Sequence, residues 1–272
     1  MKANKVLLIS SILFLLSGCS YINIDEINGY SYIDSNLYSI GDFTYDASSI
    51  SKINLCWIAG NVTVLKTASA TNAAVSENGS ADLTDQQKMH YLIQGSTLYI
   101  QYCESLYSGI IPSESKSLTL TIPENIDFYS DLVSSSLTFS ADALSLKSLN
   151  INTVSGQISS SESLEVADSI NIDSTSGSIN LTDVSCPEIE ANSVSSDFAI
   201  SVLSNDKLNV NTVSGSAFIS LLDNLGATID FSTVSGHFSC TKKNIVSDYK
   251  TIVGDGHSQI SFASVSGNLD IR

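Results

Sequence analysis

The chain has 272 residues, of which 43% are hydrophobic and 15% are charged, a balance that excludes a disordered chain. This length allows one large or two small domains. The 28 acidic and 12 basic residues give a formal net charge of −16, which argues against nucleic acid as a partner because phosphate contacts need Lys and Arg. The carboxylates show no ligand-like spacing, so neither a metal nor another cofactor is expected. Scarce helix formers and abundant Ser, Asn, Thr, Ile and Val favour strands and turns.

The N-terminus has the three parts of a bacterial lipoprotein signal. Two lysines precede an apolar run over residues 6–16, which is too short to cross a bilayer, since a spanning helix needs roughly 20 apolar residues. The run ends in Leu-Ser-Gly-Cys at residues 16–19, which resembles the bacterial lipobox. The resemblance implies a signal peptide over residues 1–18, thioether lipidation of Cys19 and cleavage before it. We therefore expect the chain on the cell membrane, lipid-anchored and facing outside the cytoplasm; the alternative is an ordinary signal peptide with a chance cysteine.

Residues 19–145 precede the most regular part of the sequence. Residues 19–40, rich in Asn, Ser, Tyr and Asp, are predicted to form a weakly structured tether. Residues 41–145 are predicted to form a less regular β region of degenerate coils or a cap, with strand-like alternation at 53–64, 90–102 and 117–122. Trp57 is expected to anchor the core or the cap.

A repeat fills residues 146–272. Six segments share the pattern apolar-x-apolar-x-hydroxyl-x-Ser-Gly, with Ser once in place of Gly: 149–156, 170–177, 189–196, 208–215, 229–236 and 260–267. Their last residues are 19 to 21 positions apart, except for a final step of 31. A period near 20 residues is typical of solenoids. The predicted fold class is therefore all-β, a parallel β-helix or β-solenoid with coils of about 20 residues.

Each repeat predicts two strands joined by a corner. Before the corner, apolar and polar residues alternate, as at Leu149 and Ile151, and after it the alternation resumes one residue out of phase. A corner or bulge must restore the orientation, and glycine supplies the positive φ that this requires. The predicted structural corners are five glycines: Gly156, Gly177, Gly215, Gly236 and Gly267. Ser196 takes this place in the third repeat.

Stacked coils would place equivalent residues in columns. The first apolar position gives one column, in chain order Leu149, Ile170, Ile189, Leu208, Ile229 and Ile260. The hydroxyl position gives a second, inward column of Thr153, Ser174, Ser193, Thr212, Thr233 and Ser264. Its expected role is hydrogen bonding along the stack or to corner amides, rather than catalysis.

Several motifs resemble a known family. Trp57 is followed by Gly-Asn-Val-Thr-Val at residues 60–64, Leu-Thr-Leu-Thr-Ile-Pro stands at 118–123, and a closing stretch spans 254–271. With the Ser-Gly repeats, these resemble the bacterial adhesin-like family with a β-helical body (domain-of-unknown-function family 4097), over roughly residues 51–272. The resemblance implies a surface-exposed scaffold, sometimes linked with envelope-stress systems, and it offers no catalytic residue to carry over.

Cysteines and histidines form no recognisable catalytic or metal motif. Four cysteines remain after Cys19, none in C-x-x-C spacing: Cys56, Cys103, Cys186 and Cys240. They are either single buried thiols or pairs in one of three connectivities, and the sequence leaves this open. Likewise His90, His237 and His257 have no metal-binding spacing. Because the chain has one arginine, and its corners carry Ser and Gly instead of paired acids, we do not expect an enzyme.

The N-terminal signal and the repeats together favour a non-enzymatic surface lipoprotein, an adhesin-like scaffold of the bacterial envelope. Its expected partners are the membrane, through the lipid anchor, and a surface polymer or an envelope protein. The alternative is an envelope-stress or regulatory accessory protein that contacts a membrane partner; a polysaccharide-active β-helix enzyme is a third hypothesis. The irregular insertion at residues 242–256 is the candidate binding loop, because loops that interrupt a regular scaffold often carry function.

Overall fold

The structure, a computed structural model, describes residues 23–25, 29–68, 71–79, 83–107, 116–140, 143–247 and 250–272. Cys19 and the predicted signal peptide lie outside these residues. Two short 3-10 helices lie at Ser35–Leu37 and Ala47–Ser49, and the other regular elements of the described residues are strands. None of the described helices is long and apolar enough to cross a membrane.

The strands of the N-terminal part have these bounds: β1 Asn23–Asp25, β2 Gly29–Ser31, β3 Ser39–Ile40, β4 Phe43–Tyr45, β5 Lys52–Lys66, β6 Ala73–Asn78, β7 His90–Gln94, β8 Thr97–Gln101, β9 Ser117–Ile122 and β10 Asp127–Phe139. The strands that follow are β11 Leu144–Ser155, β12 Gln157–Ser160, β13 Leu164–Ser185, β14 Glu188–Ser204, β15 Lys207–Thr212, β16 Ala217–Leu221, β17 Ala227–Thr233, β18 Phe238–Cys240, β19 Asn244–Ser247, β20 Lys250–Val253, β21 Ser258–Ser264 and β22 Leu269–Ile271.

Most of these strands pair in parallel and form a stack of coils. The first strand of each coil lies before the corner and the second strand lies after it, as β11 and β12 do. The pairing joins equivalent residues of successive repeats: Leu149 with Ile170, Ile170 with Ile189, and Ile189 with Leu208. The predicted all-β solenoid is confirmed, because each coil pairs with its neighbours along one common stack.

The stack does not follow chain order at its two ends. The described residues form nine coils. From the first end of the stack to the second, the coils are formed by β8 and β9; β5; β10; β11 and β12; β13; β14; β15 and β16; β21 and β22; and β17 and β18. The predicted column is therefore wrong in the order of its last two members. Ile260 lies between Leu208 and Ile229, and Ile229 is outermost.

The long final step between repeats explains this exchange. After β18 the chain forms the antiparallel hairpin β19–β20, and β20 runs back along β17. This extra length returns the chain so that the last repeat enters between two earlier coils. The other end of the stack has the same arrangement, since β5 pairs with β10 on one side and with β8 and β9 on the other.

Antiparallel strands also cover the first end of the stack. There β7 pairs with β8, and β6 pairs with β9. Tyr30, in the predicted tether, is buried at this end, and its hydroxyl donates to Gln101 Oε1 at 2.5 Å. Within the predicted tether, Tyr30 and the strand β3, which pairs with β7, thus contact the body. The domain boundaries at residues 40 and 145 stay predictions, although parallel pairing continues from β10 to β11.

The inward side chains form one continuous apolar core. In the coil of β11 and β12, Leu149 and Thr153 are buried before the corner and Ile158 is buried after it. The two strands are thus out of phase by one residue, as predicted. Trp57 is completely buried, with its ring edge against Tyr102 at a centroid distance of 4.8 Å, so the prediction of a core anchor is confirmed.

Candidate functional site

The corner glycines contact the backbone of the neighbouring coil. A Cβ atom on Gly215 would lie 1.8 Å from the carbonyl oxygen of Ser196. One on Gly267 would lie equally close, at 1.8 Å, to the carbonyl oxygen of Gly215, and Gly236 meets Gly267 in the same way. No side chain fits at that distance, so the coils approach this closely only where the Cβ atom is absent.

The predicted positive φ is found at two of the five corners. Gly156 has a φ of 145° and Gly177 has a φ of 128°. The other three, Gly215, Gly236 and Gly267, do not have a positive φ, so the conformational reason predicted for them is wrong. Close approach between coils is the reason that these three positions need glycine.

The inward hydroxyl column closes the corners and links the coils. In the later coils the corner N–H donates to the hydroxyl three residues earlier, at 2.6 to 3.0 Å, in Gly215 to Thr212, Gly236 to Thr233 and Gly267 to Ser264. Along the stack, Ser193 Oγ donates to Thr212 Oγ1 at 2.8 Å. Both hydrogen-bonding roles predicted for this column are confirmed.

Ser196 is accommodated at its corner by the same column. It is completely buried, and its Oγ donates to Ser174 Oγ at 2.8 Å. Its N–H donates to Ser193 Oγ at 3.3 Å. The serine side chain thus points into the hydroxyl column instead of towards the carbonyl group of the next coil.

The outer face of the first strands carries a ladder of amides and carboxylates that bond to one another. Asn side chains donate to the equivalent residue of the preceding coil at 2.8 to 3.1 Å, in the pairs Asn152 to Asp131, Asn192 to Asp173 and Asn211 to Asn192. Burial raises the pKa of Asp131, and hydrogen bonds from Asn152 and Tyr129 oppose this shift. These polar groups are already bonded within the stack.

The outer face of the second strands differs, because it forms a groove. The groove has a volume of about 430 Å³ and crosses five coils. Its lining comprises Gln157, Ser178, Ile179, Asn180, Asp197, Phe198, Ala199, Ser216, Ala217, Phe218, Asn268 and Asp270. The groove was not predicted from the sequence, although the polar residues after four of the five corner glycines lie along it: Gln157, Ser178, Ser216 and Asn268.

Several polar side chains of the groove are not bonded to protein. In the described structure, Gln157, Ser178 and Asn180 make no side-chain hydrogen bond, and all three are exposed. The Arg272 guanidinium lies 4.6 Å from the Phe218 ring centroid, and it pairs with Asp270 at 3.1 Å. The groove therefore offers free amide and hydroxyl groups beside an aromatic ring and a guanidinium.

A buried ion pair ties the cap to the first coils. Lys116 Nζ lies 2.7 Å from Glu77 Oε1, and the two side chains are 0% and 6% exposed. The ammonium also donates to the Gln87 carbonyl at 2.5 Å and lies over the rings of Trp57 and Tyr102, at 5.2 and 4.1 Å from their centroids. Burial lowers the pKa of Lys116, and Glu77 opposes that shift. Sequence reasoning missed this pair.

Among the described residues, the four cysteines after Cys19 form no disulfide; three of them are buried and Cys240 is partly exposed. Burial raises the pKa of Cys103 to about 12 and that of Cys186 to about 11, so both are poor nucleophiles at neutral pH. His90 is buried, whereas His237 and His257 are exposed. The described residues contain no cluster of three or more His, Cys, Asp or Glu side chains that could hold a metal ion.

A parallel stack of β coils with paired polar ladders defines a class of protein, the β-solenoid scaffolds. Within that class, the chain belongs to the family described as Toastrack DUF4097, which matches residues 50–272. The resemblance stated from the sequence motifs is confirmed. Among curated proteins, no sequence matches the chain.

Three solved structures are similar to this chain at low identity. A "putative adhesin" from Bacteroides fragilis has 12% identity and a TM-score of 0.44, and covers 86% of this chain and 97% of its own. A "putative lipid binding protein" from Parabacteroides distasonis has 14% identity and a TM-score of 0.42, with coverages of 85% and 96%. A "putative cell adhesion protein" from Clostridium sporogenes has 12% identity and a TM-score of 0.38, with coverages of 86% and 98%.

Proposed function

We propose that the protein is a lipid-anchored, non-enzymatic scaffold of the bacterial envelope that binds a neutral glycan in the groove of its second strands. The observation that carries this proposal is the contrast between the two outer faces. Asn192 and Asn211 of the first strands bond along the ladder. Gln157 and Asn180 of the second strands have no partner among the described residues.

The chemistry of the groove favours sugars over charged or wholly apolar ligands. Side-chain amides and hydroxyls both donate and accept hydrogen bonds, which suits the hydroxyl groups of a sugar. Phe218 and Ala199 add an apolar strip for the faces of sugar rings. Asp197, in a chain of net charge −16, disfavours acidic polymers, whereas the charge of Asp270 is offset by Arg272. The five coils span about 19 Å at a strand spacing of ~4.8 Å, so the groove suits an extended chain rather than a single sugar.

The predicted anchor supports the role in display. The lipobox-like residues 16–19 predict a lipid on Cys19. Tyr30, which follows in the N-terminal segment, contacts the first end of the stack. Nine coils at ~4.8 Å each extend about 40 Å from that end. The mechanism is therefore a rigid β body that holds its groove away from the lipid surface.

Binding of the soluble body, residues 20–272, to immobilised glycans would test the proposal. We expect binding to neutral envelope or matrix polysaccharides and weaker binding to acidic ones. The substitution N180A should weaken binding about tenfold, because one hydrogen bond to the ligand is lost, and F218A should weaken it further. N224A removes an exposed amide outside the groove, so it should bind like the unchanged protein.

Two results would overturn this proposal. One is that no surface polymer binds, or that N180A and F218A bind as well as N224A does. The other comes from cross-linking in intact cells: a membrane signalling protein recovered from the groove, in place of a glycan, would establish the accessory role instead.

A further inference from the structure

The two ends of the solenoid differ in how completely they are covered. At the first end Trp57, Tyr102 and Lys116 are fully buried beneath the cap. At the second end the outermost coil contains Phe231 and Phe238, which stack at 5.5 Å but are only partly buried. The core is therefore closed at one end and incompletely covered at the other.

The outermost coil also presents an open strand edge. In the described structure β20 covers β17 only over Ala227–Ile229, and β18 pairs on one side, with β22. The His237 carbonyl and the Thr241 N–H bond to the β22 side. Because hydrogen bonds of a strand alternate between its two sides, the N–H and C=O groups of residues 238 and 240 point to the open side. Such an edge is a template for pairing with another strand.

The hairpin β19–β20 adds an uncovered apolar face. Thr251 and the buried Val253 lie on the same face of β20, because residues two apart share a face. Val246 pairs with Thr251 and so lies on this inward face, yet it is 72% exposed. Ile245, on the opposite face, is 70% exposed. The hairpin thus continues the core surface beyond the last coil, and Val246 on that surface is left uncovered in the described structure.

Charge distinguishes this end from the rest of the molecule. Residues 222–257 contain four acidic and three basic residues, a net charge of −1. Residues 19–221 contain 23 acidic and 6 basic residues, a net charge of −17. Two copies of the acidic body repel each other in most orientations, but they can meet at this end with little repulsion. A strongly basic partner would instead be drawn to the body.

We infer that the open end is an interface between two copies of this chain, joined end to end about a two-fold axis. A two-fold interface uses the same patch on both copies, so it brings Phe238 and Val246 of each onto the other and covers both open edges at once. Antiparallel pairing of β18 with its copy, centred on Ser239, places Phe238 of one opposite Cys240 of the other. The same outward N–H and C=O groups then bond in both directions.

The orientation of the pair has a consequence that rests on the proposed anchor. The tether meets the first end of the stack, so an end-to-end pair places its two anchors at opposite extremes, about 80 Å apart at ~4.8 Å per coil. Two copies on one membrane cannot adopt that geometry as rigid bodies. The pair therefore joins copies on two facing membranes.

Light scattering and sedimentation of the soluble body, residues 20–272, test the interface without the anchor or any glycan. We expect a concentration-dependent dimer. F238D and V246D should each raise its dissociation constant at least tenfold, and V246D alters a side chain that is already exposed in the monomer. The matched control, I33D, changes a residue 77% exposed near the opposite end and should leave dimerisation unchanged.

Cross-linking supplies a second measurement. A short bis-maleimide should join two copies through Cys240, the partly exposed thiol, and C240S should abolish the product. A body that remains monomeric at all concentrations overturns the inference, as does a dimer insensitive to both F238D and V246D. Glycan binding by such a monomer would leave the proposed function standing, so the two failures are distinguishable.

Discussion

A corner glycine decides how closely two coils approach. The carbonyl oxygen that faces Gly215 belongs to the backbone of Ser196, so it cannot rotate away as the end of a flexible side chain can. The Ser-Gly pattern of the repeats therefore marks a contact between coils as well as a turn within one. Among the five corner glycines of the repeats, Gly156 and Gly177 combine that contact with a positive φ, and Gly60 does the same in the coil of β5, against the carbonyl oxygen of Lys116.

Gly215→Ala tests this contact. The added methyl group must push the coil of β14 away, which should lower the free energy of unfolding by about 3 kcal/mol. Ser214→Ala, at the exposed neighbouring position, should change it by less than about 0.5 kcal/mol. Urea denaturation measures both variants. Equal stabilities would show that the corners can separate at no cost.

Asp131 provides a pH-dependent test in the outer ladder. Burial raises its pKa in the folded state, so the protonated carboxyl is favoured by folding. That contribution is fully present below the ordinary pKa and is lost as pH rises through the raised value. Asp131→Asn keeps an acceptor for Asn152 and removes the buried charge, which should stabilise the protein by about 1 kcal/mol at pH 7.

The gain from Asp131→Asn should disappear near pH 3, where the carboxyl in the unchanged protein is itself neutral. Asp168→Asn, at an exposed position, is the control and should give no comparable gain at pH 7. Denaturation curves at the two pH values provide the measurement. A loss of stability at pH 7 would mean that the ladder needs the charge.

At the scale of elements, the strand, corner and strand of each repeat could be predicted because their burial pattern is local. The alternation at Leu149 and Ile151 and its change of phase at Ile158 are visible in the sequence. The groove could not be predicted in the same way. Asn180 and Asn192 are both outward asparagines, and only the structure shows that Asn192 is bonded along the stack while Asn180 is not.

The attachment of the cap could not be predicted from the sequence either. Lys116 and Glu77 are 39 positions apart, and neither stands in a motif. Their burial depends on how β6 folds back over β9, which is a long-range antiparallel pairing. The pair is therefore a property of two elements, and its energetic role can be measured by removing one partner.

Lys116→Met should be strongly destabilising because it leaves the Glu77 carboxylate buried without its cation. We expect a loss of about 3–5 kcal/mol, and the double variant with Glu77→Gln should recover part of it. Lys147→Met, which breaks an exposed pair with Asp127, should cost less than about 1 kcal/mol. A double-mutant cycle by urea denaturation gives these values, and equal costs for the two lysines would contradict the assignment.

At the scale of the molecule, the repeat period could be predicted but the order of the coils could not. The apolar positions of all six repeats are equivalent, so Leu208 fits against Ile229 as well as against Ile260. The order is decided by the path of the chain between repeats, where the hairpin β19–β20 reverses direction. Hydrophobic periodicity alone contains no information about that path.

Engineered disulfides can test the order of the coils. Asn209 and Ser261 are direct partners on adjacent strands, so Asn209→Cys with Ser261→Cys should form a disulfide on oxidation. Asp230 also pairs with Ser261, on its other side, which puts Asp230 two strands from Asn209. The combination of Asn209→Cys with Asp230→Cys should therefore fail to form one. Peptide mapping by mass spectrometry distinguishes these products, and the opposite result would establish stacking in chain order.

The interleaved end also sets a sequence of events in time. During synthesis β17 and β18 emerge before β21 and β22, the strands on which they must pack. Until the final repeat arrives, β16 has a parallel neighbour only in β14 and β17 has none, so adding the coils one by one cannot complete the body. Folding at this end is therefore completed in one late step, when the last repeat inserts between the two coils. Until then, the edges of β16 and β17 that the last repeat will cover have no pairing strand.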